Sequence, residues 1–203
     1  MTNSLAGNQI MLVNHKCKFS FYGCNIKMKL EQIVVHEKTC LERTVTCPDV
    51  ECNEEVQLRK FNEHAAKERC AIKMSRSGLF KVKALFNQNE DHSYHIMHSF
   101  KVDNLTFYLL SSYLPSKKCF IFSVMLPDDV ETASMYNARI TVIHSPDSQR
   151  KVTFEGSVLS IEDLPDIEDD EANMKYWFVS YETLKPFFTQ DSRSFLLQME
   201  VLA

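Results

Sequence analysis

The sequence predicts two regions of different class. Residues 14–74 form a pair of small Cys/His units, each a short hairpin plus a helix, and residues 75–203 form an all-β antiparallel sandwich of about eight strands. Three observations carry this reading. Six of the seven cysteines fall between Cys17 and Cys70, and their spacing repeats with a histidine at the same place in each copy. From residue 77 onward, short stretches rich in β-branched and aromatic residues are separated by polar turns, which is the pattern of strands. Residues 1–13 precede both regions as a tail.

The first unit reads Cys17-x6-Cys24-x11-His36-x3-Cys40 and the second Cys47-x4-Cys52-x11-His64-x5-Cys70, with residues 41–46 between them. In each, the early cysteine pair lies in a turn-rich stretch, 18–25 with Gly23 or 48–53, which predicts a hairpin. Leu30, Ile33, Val34 and Glu37 have helical spacing, so His36 and Cys40 at i, i+4 share one helix face. Val56, Leu58, Phe61 and His64 repeat that pattern. The longer gap to Cys70 requires the second helix to end or bend after His64.

Strands are predicted at 79–86, 94–100, 105–113, 119–126, 138–144, 151–154, 176–179 and 195–202. The clearest alternation sets Ile140 and Val142 against Arg139 and Thr141. A Ser-Pro-Asp-Ser turn at 145–148 closes a hairpin, and 182–188 reads as a helical turn. The stretch 162–171 carries seven acidic residues and no basic one, the signature of a solvated loop. His92, His95 and His98 are spaced by three, so on a strand neighbouring members face opposite ways and read as ordinary strand and turn histidines. Cys119 and the pair Trp177 and Phe178 read as core.

Composition narrows the function. A 44% hydrophobic and 25% charged chain is that of a folded protein, and its four scattered glycines allow no phosphate loop, dinucleotide fingerprint or nucleophile elbow. No Cys-x-x-Cys occurs, which excludes a thioredoxin-like motif and a RING finger from these residues. The apolar run at 10–13 is too short for a signal h-region or a membrane span, so a reducing, cytoplasmic or nuclear compartment is expected. There, clustered cysteines with histidines point to metal before disulfides. The net charge is −4 overall, +2 over residues 14–74 and −6 over 75–203, which argues against a nucleic-acid-binding protein.

Three thiolates and one imidazole complete a closed tetrahedral zinc site, so two structural Zn2+ ions are expected. Cys17, Cys24, His36 and Cys40 would hold one ion, and Cys47, Cys52, His64 and Cys70 the other. Lys16, Lys18, Lys27, Lys29 and Lys38 would favour the thiolate form around the first. A unit of about 25 residues buries too little core to fold alone, so metal binding would supply its folding free energy.

These tandem spacings, followed by a strand-rich region, resemble the zinc-finger and TRAF-like part of the seven-in-absentia (SIAH) family of ubiquitin ligases. The resemblance extends over nearly all of the chain after Asn14, including the Arg-x-Thr-Val and Val-Thr-Phe-Glu stretches within 136–161. It implies a TRAF-like β-sandwich that dimerises and binds an extended degron peptide with a Val-x-Pro core by strand addition. The groove would map to 79–85 and 93–97, with Phe80, Tyr94 and Ile96 as walls. Tyr94 stands where the family has tryptophan and Asp91 where it has a small residue, which implies a changed peptide preference. Two further departures are the RING, absent here, and the second finger, which ends in Cys70 where the family usually has histidine.

The expected function is therefore substrate recognition and dimerisation within ubiquitin-dependent degradation, with no catalytic residue of its own. Degron-bearing substrates, a RING-containing ligase or a second copy would be the partners, and no membrane. The rival readings are a TRAF-type signalling adaptor, which lacks the heptad stalk of a trimer here, and a nucleic-acid-binding finger protein.

Overall fold

In a computed structural model the described residues are 13–73, 79–83, 94–144, 149–164, 176–188 and 194–202; of 79–83, 94 and 194 only the backbone is described. The chain is mostly β-sheet with few helices. In the first unit, β1 (His15–Lys16) pairs antiparallel with β2 (Lys27–Met28), and α1 (Leu30–Thr39) follows. Between the strands runs a 3-10 turn, Lys18–Tyr22, which Gly23 ends at a φ of 111°, a left-handed value that favours glycine. The second unit pairs β3 (Thr44–Thr46) with β4 (Glu55–Gln57) and continues into α2 (Phe61–Lys67). Past α2, β5 (Ala71–Lys73) leaves the unit and joins a larger sheet.

Each of the eight expected stretches holds a strand. They are β6 (Leu79–Lys83), β7 (Tyr94–Val102), β8 (Leu105–Leu114), β9 (Cys119–Leu126), β10 (Asn137–Ile143), β11 (Lys151–Ser157), β13 (Trp177–Ser180) and β14 (Ser194–Leu202). A further short strand, β12 (Leu159–Ser160), lies between β11 and β13. One sheet has the order β11-β10-β14-β6; the other runs β12-β9-β8-β7-β5, with β13 also on β9. The expected pairing was antiparallel throughout, but the larger sheet is mixed: β5 runs parallel to β7, and β12 parallel to β9. The reason is topological. Between β5 and β7 the chain builds β6, and between β9 and β12 it builds β10 and β11, all in the other sheet. Such excursions return the chain in its original direction.

Helical content follows local signals. The helical turn expected at 182–188 is α4 (Tyr181–Leu184) with a 3-10 turn, Lys185–Phe187. Ser180 Oγ caps α4 by accepting from the Thr183 N–H at 3.2 Å. The sequence reading missed α3 (Val130–Ser134), whose N-terminus Asp129 caps by accepting the Thr132 N–H at 2.7 Å. The turn expected at 145–148, the acidic stretch from 165 to 171, and His92 and Asp91 lie outside the described residues.

Both sheets contribute to one core. Leu109, Phe120, Phe122 and Val124 from the larger sheet meet Ile140, Val142, Phe195 and Leu197 from the smaller. Ile140 and Val142 are fully buried, while Arg139 on the opposite face pairs with Glu155 at 2.8 Å and Glu200 at 3.0 Å. Trp177 also packs on this core, its ring against Gly156 of the other sheet; a Cβ built there would lie 3.2 Å from the indole. Phe178, expected in the core beside it, faces away from Trp177 on β13 and is exposed. Strand β9 is buried at every position, so it reads as an apolar run without alternation. Cys119, at its start, is buried as expected.

The two described histidines of the triplet separate as their spacing demands: in the β7–β8 pairing His98 lies opposite Leu109 and His95 opposite Ser112, on the two faces of the sheet. His98 is 6% exposed, and burial pulls its pKa down to about 4. Its unfolded value is near 6.5, so the neutral ring's contribution is complete above pH 6.5 and is lost as pH falls toward 4. The full effect is on the order of 3 kcal/mol. Urea melts at pH 7 and pH 5 should therefore show His98→Leu losing clearly less stability on acidification than the parent. Equal losses would contradict the assignment.

Candidate metal centre

The local fold converges the ligands of both units. In the first, Cys17 opens the 3-10 turn, Cys24 follows Gly23, and His36 and Cys40 lie on and just after the last turn of α1. Backbone hydrogen bonds fix the knuckle: the Cys17 N–H donates to the Ile26 carbonyl at 3.1 Å, and the Cys24 N–H to the Phe19 carbonyl at 3.3 Å. The Lys18 N–H donates to Glu37 Oε1 at 2.7 Å, which ties α1 to that turn.

In the second unit the Cys52 and Asn53 N–H groups both donate to the Asp49 carbonyl, and Asn53 takes a φ of 48°. The x5 gap before Cys70 is resolved as the spacing required. Helix α2 stops at Lys67, Arg69 adopts a left-handed φ of 60°, and the reversal brings Cys70 back beside His64.

All eight expected ligand residues come together in two sets of four, the ligand atoms of each set lying within 4.8 Å of one another. Cys17 Sγ lies 3.9 Å from Cys40 Sγ, and Cys24 Sγ lies 3.3 Å from His36 Nε2. His64 Nε2 is 3.4 Å from Cys52 Sγ and 3.6 Å from Cys70 Sγ. A tetrahedral ion with zinc bond lengths sets its ligands about 3.8 Å apart for two sulfurs and about 3.5 Å for sulfur and nitrogen. The donor sets therefore fit, and each can hold a metal ion. On the other ring nitrogen of His64, Glu54 Oε2 stands 3.7 Å from Nδ1, where an outer carboxylate steadies a metal-bound imidazole. Burial pushes the Cys40 thiol up to about 12 and the Cys47 thiol up to about 11, and raises Cys17 and Cys70 as well. Without metal these thiols hold their protons at neutral pH, so at the first centre burial outweighs the lysines expected to favour thiolates. Metal uptake must release them, so affinity falls as pH falls.

The two centres are seated differently. Around the first, a small cluster of Ile33 and the cysteines packs, among the described residues, against Phe19, Met28 and Leu30 of the same unit. Around the second, Val45, Leu58, Phe61 and Ala65 share a core with Met97, Tyr108, Met125 and Ile161 of the larger sheet and its flanking turn. The Tyr108 hydroxyl donates to Asn62 Oδ1 at 2.7 Å across that junction.

Sequence reading missed Arg43, in the linker between the units. It is 3% exposed; its Nε meets Glu162 Oε1 at 2.6 Å, while its other nitrogens donate to the carbonyls of Cys40 at 3.1 Å and Asp128 at 3.4 Å. One guanidinium thus joins the first centre's last ligand to two loops of the β region. Nothing in a single sequence distinguishes it from the adjacent Glu42, which is also buried and pairs with Arg59 at 2.7 Å. Replacing Arg43 by lysine keeps the charge but loses the fork, and should cost roughly 2 kcal/mol in urea unfolding with faster amide exchange over 41–46. A change below about 0.5 kcal/mol would show that the fork contributes nothing.

Of the expected groove residues, Ile96 is half-buried on β7, and the side chains of Phe80 and Tyr94 lie outside the described residues. No helix among the described residues is long and apolar enough to cross a membrane. Compared with known protein families, the chain matches none, and a search of curated proteins returns no relative. Fold and site define a β-rich protein with two Cys3His centres.

Proposed function

We propose that this chain is a zinc-stabilised, substrate-binding and dimerising module of the seven-in-absentia type. It serves ubiquitin-dependent degradation in the cytoplasm or nucleus. The observation that carries the reading is the pair of Cys3His units in tandem, the second running through Cys70 directly into a strand of a two-sheet β region. The shared core of those sheets supports a TRAF-like sandwich. Their edges support strand addition: β6 ends the smaller sheet, and β7 carries Tyr94–Ile96 ahead of its pairing with β5 at Met97–Ser99. Transfer chemistry would come from a RING outside these 203 residues.

The test is fluorescence polarisation with labelled extended peptides bearing a Val-x-Pro core, read beside light scattering for the dimer. Binding that is lost in Ile96→Arg and altered in selectivity by Tyr94→Ala is the expected result. Failure of every such peptide, or a monomer at tens of micromolar, would overturn the reading. So would ubiquitin transfer by the isolated chain with a conjugating enzyme alone.

A further inference from the structure

A cleft of about 880 Å3 separates the second Cys/His unit from the larger sheet. One part of its lining is the segment 44–50, a second is Ile96, Met97, Leu110 and Ser112 of β7 and β8, and a third is Ile161 with Glu162 and Leu164. The volume is that of a small-ligand site, and the lining is the usual mixture of apolar surface with a few placed polar groups. The walls belong to separate parts of the chain. Arg43 holding Glu162 and Tyr108 holding Asn62 brace the junction on which they stand.

The charge of the lining is one-sided. Among the described residues that line it are Asp49 and Glu162 but no lysine or arginine. Glu162 is engaged by Arg43, whereas among the described residues the carboxylate of Asp49 accepts the Glu51 N–H, at 3.2 Å, and has no ion pair. His95 adds no positive charge: its Nδ1 lies 2.7 Å from the hydroxyl of Ser112, itself 5% exposed, and burial lowers the pKa of the ring by more than the nearby charge of Asp49 raises it. A carboxylate with no lysine or arginine paired to it among the described residues therefore lines a cleft that Met97 and Leu110 also line. We propose that this cleft binds an organic cation on an apolar stem, an alkylammonium or guanidinium group. The head would pair with Asp49 and the stem would lie on Met97, Leu110 and Ile161.

The cleft shares Ile96 with the peptide groove proposed above, but its test is separate, because it reads a preference for a cation, on which strand addition does not depend. Calorimetric titration of the metal-loaded chain with n-butylammonium, n-butylguanidinium and a blocked hexapeptide with one central lysine tests it. The same peptide with norleucine in that place is the neutral control. The lysine peptide should bind about tenfold or more tighter than its norleucine form, the ratio one charge-assisted hydrogen bond supplies. Asp49→Asn, which keeps the Oδ1 acceptor for Glu51, should lose that preference while retaining two metal ions. Leu164→Trp, which fills the cleft away from the ligands, should block binding. Binding by the free cations alone identifies a small-molecule ligand, and binding by the peptide alone a side chain of a partner; both support the site. Equal affinity for the norleucine peptide, no heat from any probe at millimolar concentration, or unchanged preference in Asp49→Asn would overturn it.

Discussion

Replacing Cys40 by serine should unfold the first Cys/His unit and leave the sheets intact. That unit has almost no other source of stability. Ile33 is the one residue of α1 that is fully buried, and the rest of its cluster is cysteine or half-buried side chain of the same unit. A ten-residue helix without a side-chain N-cap is marginal in water on its own. The apparent free energy of structural zinc in such units is about 10–16 kcal/mol, which exceeds anything this cluster can contribute. Cys40→Ser should therefore carry one metal ion per chain in place of two, and residues 15–40 should lose amide protection. Strands β8 and β9 should exchange as slowly as in the parent. Titration with a chelator should reproduce the order, the first unit opening before the second, because the second is held by apolar contacts as well as by metal. Loss of both units together would refute the difference in seating.

Phe61→Ala carries the second large effect, and it acts from the opposite direction. Phe61 is fully buried and meets Tyr108 edge to face, with ring centroids 5.3 Å apart and planes at 80°. It lies in the core that α2 shares with the sheet, so truncation leaves a cavity at the junction rather than at a surface. Substitutions of this kind cost about 3–5 kcal/mol, and denaturant melts should show a loss in that range. Phe61→Leu keeps most of the volume and should cost roughly a third as much. The second centre should also release its metal faster in Phe61→Ala, since His64 sits one turn along the same helix. A loss below 1 kcal/mol would mean that the unit is only loosely attached.

The expected and observed elements differ in an instructive way. Ligand identity is written residue by residue, and the turn after His64 follows from counting five residues to Cys70. Strands of seven to ten residues such as β8, β9 and β10 carry enough pattern to be read. Strands β5 and β12 have three and two residues, too few for any periodicity, and their parallel pairing depends on where the chain has been in between. Helix α3 was hidden because its five residues expose one apolar side chain, Val130, and bury only Ala133.

The sequence by itself determined the donor sets of two metal centres, the order of hairpin and helix in each, and the positions of the main strands. All of these rest on spacing within about 25 residues. Only the folded chain shows that the apolar cluster of one centre comes from its own unit while the other is built into a sheet, that Arg43 braces the junction, and that a cleft opens beside it. These depend on pairs such as Asn62 with Tyr108, 46 residues apart, and Arg43 with Glu162, 119 residues apart. Such contacts have no period. They exist because two surfaces bury each other, and only the folded chain brings those surfaces together.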